Sequence, residues 1–207
     1  MRMIVAAIAA GVLAHNAHAA ENVLLENTAK ALAAGDSAAV VKALIIEVGR
    51  SNVIAAQKLG LGYRDGDLIG KDQAKARVYL RLAAEPSAIR FYYKSGLPEA
   101  QYALAAMLRD GIGGKADAAE AVSWFELAAE QGYEQAQIAV AWMYMKGAGI
   151  KRNVERAFFW SSIAANRLTS AAQKEAEQLR DSAQNQLEPA QVAKARILVN
   201  DWKPKVS

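Results

Sequence analysis

Acid–base chemistry in this chain would rest on carboxylates, tyrosines or lysines, because the sequence of 207 residues contains no cysteine and only 2 histidines. Two carboxylate pairs stand out by their spacing, Glu130 with Glu134 and Glu175 with Glu177. Such a pair can divide general acid and general base work if its surroundings separate the two pKa values. Both pairs lie at the end or on the polar face of a predicted helix, which favours a solvated surface instead. We therefore predict no catalytic residue in this chain.

The first 19 residues have the pattern of a secretory signal peptide. Arg2 supplies a positive start, residues 4–13 form an uncharged apolar run, and Ala17-His18-Ala19 offers a small-x-small cleavage site. The run has roughly half of the ~20 residues that a membrane span needs. A buried N-terminal helix is the alternative. Since no later stretch reads as a span, we expect a periplasmic or secreted protein without membrane insertion after cleavage.

Removal of residues 1–19 would take both histidines, His15 and His18, out of the mature chain. A chain without His and Cys cannot build a Cys nucleophile, a Ser-His-Asp triad or the usual zinc site. The S-x-x-K pattern of β-lactamases is also absent from the sequence. We therefore expect no metal, no cofactor and no enzymatic activity.

The charge pattern argues against nucleic acid as a partner. The net charge is +4, but lysines and arginines are scattered among acidic residues. Binding to nucleic acid needs a basic stripe on one face. The composition is 53% hydrophobic and rich in alanine, which is typical of helices packed at close range. The sequence thus indicates a globular, all-α protein with no nucleic-acid partner.

Three segments of the chain align on a glycine, at Gly66, Gly111 and Gly147. The glycines are separated by 45 residues (66 to 111) and 36 residues (111 to 147), so the first interval is the same unit with a 9-residue insertion. Each segment predicts two helices joined by a glycine-rich turn. The glycine is expected to take the left-handed conformation that ends the first helix. Since no unit can bury its apolar faces alone, the units must stack.

The second helix of each unit carries small and aromatic residues at repeated positions. Small residues allow a neighbouring helix to approach, and the aromatic ring fills the space between layers. Six residues after each glycine, an Asp or Asn is placed to cap this helix. The columns are Ala76, Ala121 and Ala157; then Tyr79, Trp124 and Trp160; then the pairs Ala83-Ala84, Ala128-Ala129 and Ala164-Ala165; with the caps Asp72, Asp117 and Asn153.

These residues resemble the Sel1-like repeat family, a relative of tetratricopeptide repeats. The pattern A-x-x-x-L-G-x-x-Y-x-x-G, a short loop to D, and then A-x-x-W-x-x-x-A-A covers residues 53–166 and is matched most fully at Trp124 and Trp160. Ala105 and Ala141 depart from it, because they replace the glycine that Gly60 supplies. The resemblance implies a right-handed α-solenoid of helix-turn-helix repeats with a scaffolding or regulatory role.

The repeats divide the chain into a signal peptide, an N-terminal part, the repeat array and a C-terminal part. The N-terminal part is predicted to be capping helices or a degenerate repeat. The C-terminal part is predicted to be capping helices, the last of which begins at Pro189. The boundaries are 1–19, 20–52, 53–167 (with an insertion around 86–99 before the second repeat) and 168–207.

A second stripe, on the first helix of each unit, is the candidate partner-binding surface. It contains aromatic residues and arginines, which carry most of the energy of protein interfaces. The alternative is that Trp142 and Tyr102 pack on neighbouring helices. The candidate residues are Gln57, Leu61, Arg64, Tyr102, Arg109, Ile138, Trp142 and Met145.

The insertion contains three consecutive aromatic residues, Phe91, Tyr92 and Tyr93, between Arg90 and Lys94. An insertion in a repeat array often lies on a binding face, so these rings are further candidates for contact with a partner. The alternative, which we favour, is an extra helical turn that fills space between two repeats.

The expected function is that of an exported scaffold or regulator that binds a protein, such as a membrane sensor or an envelope assembly. A module that binds cell-wall glycan or its peptide stem is the alternative, because exposed aromatic rings also stack on sugars. A hydrolase is the least favoured interpretation, since the mature chain would lack the residues named above.

Overall fold

The computed structural model describes residues 34–67, 70–86, 95–167 and 171–205, and within them the regular structure is α-helix. The predicted all-α repeat fold is confirmed. The chain divides into two compact units, one that ends at Ala83 and one that begins at Ala84. The helices are α1 (Ser37–Gly49), α2 (Val53–Asp65), α3 (Gln73–Ala84), α4 (Pro98–Asp110), α5 (Ala118–Glu130), α6 (Glu134–Lys146), α7 (Val154–Arg167), α8 (Ala171–Gln184) and α9 (Pro189–Asp201).

Each repeat turns at its glycine in the predicted way. Gly66, Gly111 and Gly147 have φ angles of 80°, 69° and 72°, and they end α2, α4 and α6. Each glycine N–H bonds to the carbonyl four residues earlier. A residue with a Cβ atom is strained at such φ values, whereas glycine is not. The predicted left-handed helix ends are therefore confirmed.

A hydrogen bond closes each turn at the same place in the repeat. The residue six positions after the glycine donates its backbone N–H to the carbonyl three positions before the glycine, at 3.0, 2.9 and 3.0 Å in the three repeats. The side chain of the same residue accepts the backbone N–H three residues further on, which confirms the predicted helix caps. The donor and acceptor residues of the closing bond are Asp72 and Tyr63, Asp117 and Leu108, and Asn153 and Tyr144.

In the first unit, α2 and α3 approach closely at Gly60. A Cβ atom on Gly60 would lie 2.7 Å from Cγ and 2.9 Å from the backbone nitrogen of Leu80. Tyr63 and Tyr79 of the same two helices stack with their ring centroids 5.7 Å apart. Glycine at this position thus sets the distance between the two helices, because a larger residue would push α3 away.

The predicted alanine stripe is part of the interior of the second unit. Ala121, Ala128 and Ala129 of α5 are fully buried, and so are Ala157 and Ala164 of α7. Small side chains let the backbones of neighbouring helices come close, so packing is dense without large residues.

The aromatic column is only partly interior, which differs from the prediction. Trp160 is 3% exposed, and its ring meets Trp202 edge-on at 6.1 Å. Trp124 stays half-buried and donates its indole N–H to a glutamate four residues earlier. Phe125 and Phe158 are among the largest fully buried side chains instead. Trp160, at the third aromatic position, is more buried than Trp124 because Trp202, which follows α9, covers it.

Two buried glutamines, which the sequence analysis did not single out, bind helix-terminal carbonyls. Gln101 donates Nε2–H to the carbonyl of Ala84 at 3.0 Å, and Gln137 donates Nε2–H to that of Ala129 at 3.2 Å. Both carbonyls lie 18 residues after the glycine of a repeat, where a helix end leaves carbonyls without intrahelical partners. The signal was present in the shared letters AQ that begin AQYALAA and AQIAVAW.

The chain folds back after α9. The backbone N–H of Lys205 donates to the carbonyl of Glu130 at 2.8 Å, and the Lys205 ammonium lies 2.8 Å from Oε2 of the same glutamate. Trp202 packs against Trp160, and the Arg167 guanidinium lies 5.2 Å above the Trp202 ring. The segment Trp202–Lys205, called the tail below, thus connects the end of α9 to the end of α5.

Replacement of Trp160 by alanine tests this packing. We expect the free energy of unfolding to fall by about 3–5 kcal/mol, because a buried indole and its edge contact with Trp202 are lost. Urea denaturation followed by circular dichroism measures the change. Trp142→Ala is the matched control, since Trp142 is 44% exposed, and its effect should stay within about 0.5 kcal/mol. Equal losses in the two variants would contradict the interior position of Trp160.

Candidate interaction surface

Three of the candidate residues are buried. Gln57 lies in the interior of the first unit, and Ile138 and Met145 lie in that of the second. Ile138 shares an apolar cluster with Ala176 of α8, and Met145 shares one with Ala183 of α8. The stripe on α6 that the sequence predicts as surface is therefore covered along one edge, because α8 packs against it.

Trp142 is the candidate that remains most clearly on the surface. Its side chain is 44% exposed, although Ala141 and Met143 beside it on α6 are buried. Within the described residues no ring contact involves Trp142. The alternative that Trp142 packs on a neighbouring helix is not supported by this exposure.

The position of Tyr102 agrees better with the alternative that this residue packs on neighbouring helices. Its ring lies 5.5 Å from the ring of Phe125 and 5.2 Å from that of Tyr133, and it is half-buried. Aromatic pairs at such distances and tilted angles are attractive. One edge of Tyr102 thus belongs to the interior of the second unit, and only part of the ring can meet a partner.

Two arginines of the candidate surface are held by the aspartate that follows them. Arg109 donates from Nε and Nη2 to Asp110 at 2.7 and 2.9 Å, and Arg64 makes the same pair of bonds to Asp65, both at 2.7 Å. The hydrogen bond from the arginine lowers the pKa of each aspartate below its usual value. Because the two pairs occupy the same position of successive repeats, each of the first two repeats presents a guanidinium in a fixed orientation. Leu61, in the first unit, is half-buried.

A polar cluster that the sequence analysis missed links three helices of the second unit. The Tyr144 hydroxyl on α6 donates to Glu126 Oε1 on α5 at 2.6 Å, and Arg156 Nη1 on α7 donates to the same oxygen at 2.6 Å. Arg156 also lies 5.4 Å above the Tyr144 ring. Burial, and then the hydrogen bond to Glu126, raises the pKa of Tyr144 to about 12.

The signal for this cluster is a tyrosine followed twelve residues later by a cation. Tyr144 and Arg156 have this spacing, and so do Tyr63 and Lys75, whose ammonium lies 5.3 Å above the Tyr63 ring. The second repeat has Leu108 at the tyrosine position. This tyrosine–cation contact is thus built into two of the three repeats.

The carboxylate pairs have structural contacts. Glu130 binds Lys205 of the tail, and Glu177 accepts a hydrogen bond from Gln173 at 3.1 Å. Among the residues that the structure describes, no group of three or more His, Cys, Asp or Glu side chains is placed to hold a metal ion. In that same part of the chain, no helix has the length and apolarity to cross a membrane.

Some predictions concern residues outside the described ranges. They are the signal peptide, residues 1–19, and the three aromatic residues of the insertion, Phe91, Tyr92 and Tyr93.

Comparison with known families identifies the repeat. The model of the Sel1 repeat matches residues 53–85, 98–133 and 134–167. The chain belongs to the Sel1 repeat family. Sel1 repeat proteins generally mediate protein–protein interaction, and the repeat scaffold is typically non-catalytic. No curated protein matches the sequence.

Two solved structures resemble this Sel1 repeat chain. One is c5321, a protective antigen present in uropathogenic Escherichia coli strains that displays an SLR fold, with a TM-score of 0.65 and 21% identity over 97% of this chain and 44% of that one. The other is a Sel1 repeat protein from Oxalobacter formigenes, with a TM-score of 0.61 and 20% identity over 81% of this chain and 65% of that one. At such identities the likeness shows the fold alone. The chain spans less than two thirds of the length of either structure.

The Tyr144 hydroxyl is expected to make stability depend on alkaline pH. Because its pKa is raised from 10.0 to about 12 in the folded state, the stabilisation is complete below about pH 10 and is lost as the pH rises through about 12. Tyr144→Phe should cost about 1 kcal/mol near neutral pH, where the bond to Glu126 is lost. Above pH 10 the variant should lose stability less steeply than the wild type.

Urea denaturation of both proteins at several pH values measures this difference. Tyr102→Phe is the control near neutral pH, since the Tyr102 hydroxyl makes no hydrogen bond within the described residues, and it should keep wild-type stability there. Identical slopes for Tyr144→Phe and wild type between about pH 10 and pH 12 would contradict the role of the hydroxyl.

Proposed function

We propose that this Sel1 repeat chain is an exported scaffold or regulator, which holds a partner protein through the surface around Trp142. The exposed indole of Trp142 is the observation that carries the proposal. An aromatic side chain of this size that is 44% exposed leaves apolar area in water, and its burial against a partner would be favourable.

The support beneath Trp142 favours a role in binding. Ala141 and Met143, its neighbours along α6, are buried, so the helix that presents the indole is fixed by the interior. A rigid anchor loses little conformational entropy when a partner covers it. Tryptophan is also enriched among the residues that dominate interface energy.

Arg109 on α4 is a second candidate contact. Its bonds to Asp110 use Nε and Nη2, while Nη1 makes no hydrogen bond within the described residues. The guanidinium also lies 6.0 Å from the Phe125 ring, so its orientation is fixed from two sides. A partner with an acceptor, such as a carboxylate or a backbone carbonyl, would find this donor already oriented.

Export rests on the pattern of the first 19 residues, and it sets the kind of partner. The positive start, the apolar run and the Ala17-His18-Ala19 site favour a periplasmic or secreted location. The sensor domain of a membrane receptor, or an assembly of the cell envelope, would meet the protein there. No catalytic role is proposed.

Binding to cell-wall glycan or its peptide stem is the second candidate, and Trp142 is again the supporting residue. A flat, exposed indole can stack on a sugar ring. The two candidate functions predict different results in binding experiments. Purified peptidoglycan should retain the protein if the alternative holds, and a solubilised membrane fraction should supply a protein partner if the main proposal holds.

Crosslinking in living cells from position 142 tests the main proposal. A photoreactive residue in place of Trp142 should capture one protein reproducibly, because the side chain is at the centre of the proposed interface. Trp142→Ala should reduce retention of the same protein by at least about tenfold, as expected for an interface anchor. Its thermal unfolding should be unchanged.

Ile197→Ala is the matched control for this experiment, because Ile197 on α9 is an exposed apolar residue, at 62% exposure, outside the proposed surface. It should retain the partner as well as the wild type does. If Trp142→Ala retains the partner equally well, the surface assignment is wrong. Retention on peptidoglycan alone would favour the second candidate.

Export has a separate test. Intact-mass measurement of the protein recovered from the periplasm or medium should show a chain that begins at Ala20. Substitution Ala19→Asp should block cleavage, because the peptidase site requires a small residue there. A mature protein that still contained His15 and His18 would contradict the proposed location.

A further inference from the structure

A cavity of about 480 Å³ lies in the second unit between α7, α9 and the tail. Phe159, Trp160, Leu198 and Trp202 supply apolar lining. A volume of this order suits a small molecule or a few residues of a peptide. None of the residues that line the cavity belongs to α4 or α6, so it is separate from the surface around Trp142.

One residue of the lining, Trp160, has a buried hydrogen-bond donor without an acceptor. The indole Nε1–H of Trp160 makes no hydrogen bond to any described residue, although the side chain is only 3% exposed. Buried indole N–H groups usually have a partner, because an unpaired one costs free energy. Because the nitrogen itself is covered, this donor is not open to a ligand, and Trp160 contributes to the cavity only as part of its apolar lining.

The charges around the cavity are unbalanced. Of its acidic residues, Glu130 pairs with Lys205, whereas Glu155 accepts a hydrogen bond from the neutral amide of Gln191 and keeps its negative charge. Lys194 and Lys203 also line the cavity, and neither forms an ion pair with a described residue. Two ammonium groups without an ion pair, against the one uncompensated carboxylate of Glu155, leave positive charge in excess beside an apolar lining, which favours a ligand that is both anionic and apolar.

We propose that this cavity binds an acidic segment of a peptide, with its carboxylate at Lys194 and Lys203 and an apolar side chain against Trp160 and Trp202. This site goes beyond the surface around Trp142 and uses none of its residues.

A peptide fits the cavity better than an acidic sugar does. Sugars stack on an exposed ring face, whereas Trp160 is buried and meets Trp202 at an interplanar angle of 77°. The tail already lies along this part of the unit, with its Lys205 N–H paired to the Glu130 carbonyl. Extended backbone is therefore accommodated at the rim of the cavity.

Titration of the full chain with short peptides tests the proposal. The probe is an acetylated, amidated tripeptide of glutamate, phenylalanine and glutamate, and the neutral comparison has glutamine in place of both glutamates. Binding is followed by indole fluorescence and calorimetry. The acidic peptide should bind at least about fivefold more tightly than the neutral one, and added salt should weaken its binding.

The double variant Lys194→Gln/Lys203→Gln removes the two free cations, and both residues are exposed, so the fold should be retained. It should bind the acidic peptide at least about fivefold more weakly. Lys146→Gln/Lys174→Gln is the matched control with the same change in net charge at exposed positions elsewhere, and it should bind as the wild type does.

Several outcomes would overturn this proposal. Equal affinity for the acidic and neutral peptides would remove the role of charge, and unchanged binding by Lys194→Gln/Lys203→Gln would remove the role of these lysines. Binding of an oligogalacturonate but of neither peptide would assign the cavity to acidic glycan. Loss of peptide binding in Trp142→Ala, with retention in the lysine variant, would place the peptide on the other surface. The test of this site is independent of the test of the proposed scaffold function, because capture at position 142 does not involve the cavity.

Discussion

The hydrogen bond that closes each turn is the constraint on which the Sel1 repeat depends. It joins the residue that caps the second helix to the last turn of the first helix, and it recurs in all three repeats at nearly the same length. The left-handed glycine permits the chain to reverse, and the capping residue starts the next helix. One polar residue, such as Asp117, therefore fixes both the reversal and the helix start. The alanine stripe can then face the neighbouring helix.

Polar links complete the packing that the alanines begin. Gln137 satisfies a carbonyl at the end of α5, and Glu126 receives Tyr144 and Arg156 from two other helices. Buried or half-buried bonds of this kind specify how helices sit together, because an unpaired group in the same place would be costly. Apolar packing alone, which is not directional, would tolerate more than one arrangement.

The C-terminal helices decide which surfaces remain for function. Helix α8 covers Ile138 and Met145 as a further repeat would, and it leaves Trp142 exposed. The tail covers Trp160 and, together with α9, creates a cavity with unpaired cations. The end of the repeat array thus both closes the interior and provides a second place where a ligand could bind. A scaffold protein gains specificity from such differences between otherwise similar repeats.

The sequence by itself determined the helix pairs, the glycine turns, the caps and the alanine stripe, because these depend on residues close together in the chain and recur at a fixed spacing. The roles of Gly66, Asp117 and Ala121 can be predicted in this way. Only the tertiary structure decided that Trp142 is exposed and that Ile138, four residues earlier on the same helix, is buried. Either residue could lie in the interior or on the surface until α8 packs against the helix. The same holds for Trp160 and Trp202, whose contact joins residues 42 positions apart in the sequence. Local spacing predicts a helix and the side of it that is apolar. Whether a helix distant in sequence covers that side depends on how the whole unit packs.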